Sequence, residues 1–75
     1  MKQKIIKTKR GTFYYNDKDK LHREDGPAIE WFDGTKQWYV NGKRHRKDGA
    51  AIEAANGDKG WWLNGKLHKI GRAHV

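Results

Sequence analysis

Three histidines, His22, His45 and His68, stand at equal intervals of 23 residues. Imidazoles in register raise the question of a shared metal ion, and the run Lys43-Arg44-His45-Arg46-Lys47 raises that of an anion. The metal fails on geometry if each interval is one β-hairpin. Equivalent positions then lie two strands apart, roughly 9–10 Å, whereas zinc needs its ligands at about 2.0–2.1 Å. The spacing instead predicts histidines that orient the Asp-Gly turns following them, Asp25-Gly26 and Asp48-Gly49, and no metal site. Acid–base catalysis meets a related objection. Asp25 is copied as Asp48 and Glu30 as Glu53, whereas a catalytic pair needs two groups in different environments. Thr8, Thr12 and Thr35 are the only hydroxyls besides tyrosine, cysteine is absent, and no glycine-rich phosphate loop occurs. The expectation is a protein that is not an enzyme and uses no cofactor.

The charge balance keeps the anion question alive. Seventeen Lys and Arg against nine Asp and Glu leave a net charge of +8 over 75 residues. Lys43, Arg44, Arg46, Lys47 and Lys66 are the candidate phosphate contacts, and Tyr39, Trp62 and Phe32 the candidate stacking surfaces. Lys2, Lys4, Lys7, Lys9 and Arg10 add a cationic amino terminus. A solvated charged face that discourages strand pairing is the competing explanation.

Positioning these residues falls to a repeat of 23 residues. Gly11-Thr12 recurs as Gly34-Thr35, Tyr15 as Trp38 and Trp61, Ala28-Ile29-Glu30 as Ala51-Ile52-Glu53, and Asn41-Gly42-Lys43 as Asn64-Gly65-Lys66. The copies run 11–33, 34–56 and, in part, 57–69, within one domain spanning 1–69. The turns Asn41-Gly42 and Asn64-Gly65, flanked by Trp38-Tyr39-Val40 and Trp61-Trp62-Leu63, are strong hairpin signals. Asp33-Gly34 and Asn56-Gly57 are expected to turn the chain in the same way at the opposite end. The resulting expectation is all-β: an antiparallel meander in a single twisted sheet. Its strands would be near 12–16, 20–23, 28–32, 36–40, 43–46, 51–55 and 59–63, with a further strand around Ile5-Ile6. Period-two alternation predicts one apolar face of Ile29, Trp31, Trp38, Val40, Ile52, Ala54, Trp61 and Leu63. Glu30, Phe32, Tyr39, Glu53 and Trp62 would occupy the other. One asymmetry stands out: Trp31-Phe32 becomes Ala54-Ala55 in the second copy.

The stretch Trp38-Tyr39-Val40-Asn41-Gly42-Lys43 leading into His45-Arg46-Lys47-Asp48-Gly49 resembles the membrane occupation and recognition nexus (MORN) repeat. More closely, it is similar to Asn-Gly-Lys-x-His-Arg-x-Asp-Gly-Pro-Ala repeats of uncharacterised bacteriophage and large DNA virus proteins. The resemblance covers about residues 11–69. It implies structural roles for His22, His45, His68, Asp25, Asp48, Trp38, Trp61, Asn41, Gly42, Asn64 and Gly65. It also implies a phage accessory or anti-defence protein that binds a host protein. Binding of nucleic acid or nucleotide, and a purely structural repeat fragment, are the alternatives. Residues 70–75, Ile-Gly-Arg-Ala-His-Val, match one reading frame of a sequencing adapter. They are read as a non-native tail of a metagenomic sequence, expected to be poorly ordered unless incidental contacts hold it. No run approaches the roughly 20 apolar residues of a membrane span, so a cytoplasmic protein is expected, in the host cytoplasm if phage-encoded. The incomplete third copy leaves a strand edge, which predicts a homo-oligomer.

Overall fold

A computed structural model describes residues 3–71. Nine strands form: β1 (Lys4–Lys7), β2 (Gly11–Tyr15), β3 (Ile29–Trp31), β4 (Lys36–Gln37), β5 (Tyr39–Val40), β6 (Lys43–Arg44), β7 (Ile52–Glu53), β8 (Lys59–Leu63) and β9 (Lys66–Gly71). The fold is an all-β antiparallel meander. Seven strands make one sheet in the order β1-β2-β3-β4-β7-β8-β9, and β5 pairs with β6 in a second. The expected single sheet is thus two. At Trp38 the strand changes partners: its N–H donates to the Ala51 carbonyl (2.7 Å) and its carbonyl accepts from His45 N–H (3.1 Å). The strand expected over 20–23 reduces to one bridge between Tyr15 and Leu21.

Turn chemistry explains the register. Asn41 and Gly42 have φ of 51° and 81°, and Asn64 and Gly65 have 51° and 82°, as a two-residue type I′ hairpin requires. The opposite turns are one residue longer than Asp33-Gly34 and Asn56-Gly57 suggested. Trp31 N–H donates to the Thr35 carbonyl and Ala54 N–H to the Asp58 carbonyl, each at 2.8 Å, so three residues are enclosed. That extra residue overturns the expected faces, because a one-residue slip moves a whole strand's side chains across the sheet. Ile6, Phe13, Ile29, Gln37, Ile52, Gly60 and Ile70 stand in one cross-strand row. The neighbouring row, on the other face, is Lys7, Thr12, Glu30, Lys36, Glu53, Lys59 and Gly71. Trp38 and Trp61 lie with the glutamates and not with Ile29 and Ile52, while Tyr39 and Trp62 share the isoleucine side.

The first copy is also offset by one. Tyr14, and not Tyr15, makes the contacts that Trp38 makes in the second copy. Tyr14 N–H donates to the Ala28 carbonyl and the Tyr14 carbonyl accepts from His22 N–H. The loop 16–20, closed by Asn16 N–H to the Lys20 carbonyl (2.9 Å), absorbs the added residue.

Among the described residues no large side chain is fully buried, and the core is Ala28, Ile29, Ala50 and Ala51. Arginines on aromatic rings supply what a second layer normally would. Arg46 Cζ lies 3.8 Å from the centroid of the Trp38 ring. Its Nη1 donates to the Ala50 carbonyl (3.0 Å) and to Glu53 Oε2 (3.1 Å). Arg23 repeats the arrangement with Tyr14 (4.1 Å), the Pro27 carbonyl (3.2 Å) and Glu30 (3.5 Å). Each arginine closes the loop between two strands onto the sheet.

Contacts of the kind the expectation allowed for hold the first two residues of the tail. Ile70 and Gly71 belong to β9, opposite Gly60 and Lys59, because ladder hydrogen bonds use the backbone and are largely indifferent to side-chain type. Gly71 also fits closely: a Cβ there would come 3.0 Å from Trp61 Cζ3. Residues 72–75 lie outside the described residues.

Arg46→Ala should lower unfolding stability by about 2 kcal/mol, through lost charged hydrogen bonds and ring contact. Lys47→Ala should change it by less than about 0.5 kcal/mol. Arg46→Lys should restore only part of the loss, because an ammonium lacks the planar fork. Denaturant unfolding of the three variants measures this.

Candidate functional site

The expected basic and aromatic set divides into groups with different work. Arg44 Cζ is 4.6 Å from the Trp62 centroid and 5.5 Å from that of Tyr39. Its Nη2 donates to the Tyr39 hydroxyl at 3.0 Å. The guanidinium therefore occupies the aromatic faces proposed for base stacking, and Arg44 Nε is buried with no hydrogen-bond partner among the described residues. Arg46 is committed to Trp38 and Glu53. Lys43, Lys47 and Lys66 remain exposed. Phe32 is 85% exposed.

The histidines also differ from expectation. Asn41 N–H donates to His22 Nδ1 at 3.0 Å, and Asn64 N–H to His45 Nδ1 at 2.9 Å. Each imidazole thus holds the Asn-Gly turn of the following hairpin, 19 residues on, and not the Asp-Gly turn beside it. The stacking of consecutive hairpins is completed by Gly42 N–H to the Leu21 carbonyl and Gly65 N–H to the Arg44 carbonyl, both 2.8 Å. His68 is exposed on β9, and Lys69 Nζ lies 4.9 Å from the Trp61 centroid, in the place Arg46 takes over Trp38. Asp25 accepts from Arg23 Nε at 3.0 Å, while Asp48 is exposed. Among the described residues, no group of three His, Cys, Asp or Glu is placed to hold a metal ion.

The residues left with free binding surface meet at the turn after β3. Trp31 forms its base, set edge-on against Phe13 at 5.3 Å. Phe32 projects from the turn, and its N–H donates to the Arg10 carbonyl at 2.7 Å. Lys9 and Arg10 are held alongside by Thr8, whose Oγ1 accepts from Arg10 N–H (3.1 Å) and Gly11 N–H (3.2 Å). With Asp33 and Thr35 these residues line an open concavity of about 420 Å³. Asp33 Oδ1 accepts from Thr35 N–H at 2.9 Å, and this backbone hydrogen bond, with that of the Thr35 hydroxyl, holds the carboxyl below the usual aspartate range. The corresponding turn of the second copy carries Ala54 and Ala55, so the aromatic corner exists once. Phe32 was in the expected set, but Lys9 and Arg10 were read only as a charged terminus. What joins them is the β1–β2 turn, which no residue type announces.

A second group was seen in part: Lys43 and Lys66 were in the expected set, and Lys20 was not. Lys20 lies 23 residues before Lys43 and 46 before Lys66, a periodicity legible in the sequence once the hairpin ends are aligned. Lys4 is unlike these lysines: its hydrogen bond to Asp19 (2.8 Å) and the charge of that carboxylate raise its pKa.

Two outcomes test this geometry. His45→Ala should cost about 1 kcal/mol and speed hydrogen exchange at the Asn64 amide, whereas His45→Asn, with Oδ1 near the Nδ1 position, should protect it. For Asp33, a depressed folded-state pKa means that its contribution is complete above the ordinary aspartate range and is lost as pH falls through the lower folded value. Asp33→Ala should therefore lose stability near neutrality and show a flatter acid limb below about pH 4, read by denaturant midpoints across pH.

No protein family, curated protein or solved structure matches the chain.

Proposed function

We propose that this chain is a non-enzymatic binding module of MORN-like hairpin repeats, a phage accessory or anti-defence protein that captures and inhibits a host protein in the cytoplasm. The observation that carries the reading is Phe32, a large aromatic side chain 85% exposed on a turn pinned by three hydrogen bonds: Trp31 N–H to Thr35 O, Phe32 N–H to Arg10 O, and Thr35 N–H to Asp33 Oδ1. Packing gives no reason for it, since Ala55 suffices at the equivalent turn. An exposed ring on a rigid support, in an apolar hollow with a cationic rim, suits the anchor of a protein interface. Lys9 and Arg10 select a partner with an acidic surface. The duplicated His, Arg and Glu residues are engaged in holding loops and turns, which supports a scaffold role over catalysis. No helix among the described residues is long and apolar enough to cross a membrane.

A second reading, binding of nucleic acid through its phosphates, rests on the lysines of the hairpin tips and needs no free stacking face on Tyr39 or Trp62.

Immobilised parent protein and the Phe32→Ala and Arg10→Glu variants, exposed in parallel to bacterial lysate, test the first reading. A discrete protein should be retained by the parent. Its affinity should fall about 30-fold for Phe32→Ala, as for a hot-spot truncation of about 2 kcal/mol. Arg10→Glu should mainly slow association. Equal retention by the parent and Phe32→Ala would overturn the Phe32 anchor.

A further inference from the structure

Lys20, Lys43 and Lys66 each follow the turn of one hairpin, and the hairpins stack in sequence order through Leu21–Gly42 and Arg44–Gly65 backbone hydrogen bonds. Equivalent positions are therefore separated by two strands, roughly 9–10 Å. The lysine stems are laid against the glycine of the next turn. A Cβ at Gly42 would sit 3.6 Å from Lys20 Cβ and Cδ, and one at Gly65 would sit 3.8 Å from Lys43 Cβ. These are ordinary van der Waals distances, so the positive φ of the I′ turn, and not space, requires glycine here. All three lysines are exposed.

Charge at the second and third hairpin tips is one-sided. The second and third tips, 40–43 and 63–66, contain no carboxylate. At the first tip Asp19 is bound by Lys4 at 2.8 Å, and Lys18 stands beside Asp17. Protection of a sheet edge accounts for Lys66, on the edge strand β9, but not for Lys43, whose strand has neighbours on both sides: β5 through Val40, and the third hairpin through Gly65.

We propose that Lys20, Lys43 and Lys66 form a ladder of phosphate contacts for a nucleic-acid backbone lying along the hairpin tips. This inference rests on the second reading above. Most of the neighbouring tip residues are polar or glycine: Asn16, Asn41 and Asn64, with Asn16 Nδ2 donating to Asn41 Oδ1 at 3.1 Å, and Gly42 and Gly65. A protein interface needs an apolar centre; the apolar residues of these tips are Val40, half-buried, and Leu63, 38% exposed, on separate hairpins. A polyanion backbone needs repeated cations and hydrogen-bond donors, which this end has. Arg44 lies over one face of Trp62 and on the Tyr39 hydroxyl, and the ladder itself contacts the backbone, so recognition through it is independent of base sequence.

The test is fluorescence anisotropy with a labelled oligothymidylate of about 20 nucleotides, long enough for a single-strand site, titrated at about 50 and 200 mM salt. The variants are the triple Lys20→Gln, Lys43→Gln, Lys66→Gln and a charge-matched triple, Lys7→Gln, Lys36→Gln, Lys59→Gln, each checked for folding by circular dichroism. The tip triple should weaken binding about tenfold or more at the lower salt and flatten the salt slope by about 0.7 per lysine. The matched triple should fall well short of both effects. Equal loss in the two triples would overturn the ladder while leaving anion binding in place. No binding by the parent would remove the ladder and the second reading together. Competition by oligoglutamate as effective as by unlabelled oligonucleotide would overturn the nucleic-acid assignment in favour of an acidic peptide.

Discussion

The structure depends on a guanidinium laid on an aromatic ring. In a layered domain a second sheet or a helix covers the first, but the described residues form only a meander, and none of their bulky side chains is fully buried. Arg46 over Trp38 and Arg23 over Tyr14 take that role. The flat cation excludes water from the ring while its outer N–H groups remain hydrogen-bonded. Carbonyls of the loop (Pro27, Ala50) and carboxylates of the next strand (Glu30, Glu53) accept from it. Ala28, Ala50 and Ala51 are small because the loop must descend close to the sheet under its arginine. Neutral apolar side chains of similar size could cover the rings, but they could not at the same time satisfy the loop carbonyls.

That arrangement sorts the charges. Four of the nine carboxylates are paired with cations of the fold: Glu30 and Glu53 on the arginine brackets, Asp25 on Arg23, and Asp19 on Lys4. Among the remaining cations, Lys20, Lys43 and Lys66 stand at one set of hairpin ends, while Lys7, Lys9, Arg10, Lys36 and Lys59 lie elsewhere, so the excess of +8 is spread over the sheet. Arg44 belongs with the structural arginines. Its place between Tyr39 and Trp62 turns what looked like a stacking platform into a closed contact.

Repetition and its failures separate structure from function. The histidine, arginine and asparagine-glycine positions recur with the same hydrogen bonds at 23-residue intervals, and their work is to fasten one hairpin to the next. The Trp31-Phe32 turn does not recur. Its second-copy counterpart folds through the same Ala54 N–H to Asp58 bond with alanines in both aromatic places, so the rings are surplus to the turn. A surplus aromatic at a rigid, cation-rimmed corner is where a binding role is most economically located.

What the residues determined by themselves was local. The Asn-Gly pairs dictated two-residue turns because both central positions need positive φ. Alternation dictated strands and an all-β meander, and the extent of β8 was legible to the residue. The tertiary structure decided everything that depends on which residues sit opposite one another. One added residue in each of the Asp33-Gly34 and Asn56-Gly57 turns placed Trp38 and Trp61 on the face opposite the isoleucines, and one in the loop 16–20 exchanged Tyr15 for Tyr14 beneath Arg23. The partner of each histidine, the closure of Tyr39 and Trp62 by Arg44, and the meeting of Arg10 with Phe32 likewise join residues distant in the chain. A side chain's propensity is set by its neighbours in sequence, but its face and its contacts are set by register. Register is the sum of turn lengths, and an error of one residue in any of them inverts the face assignment of the strands that follow.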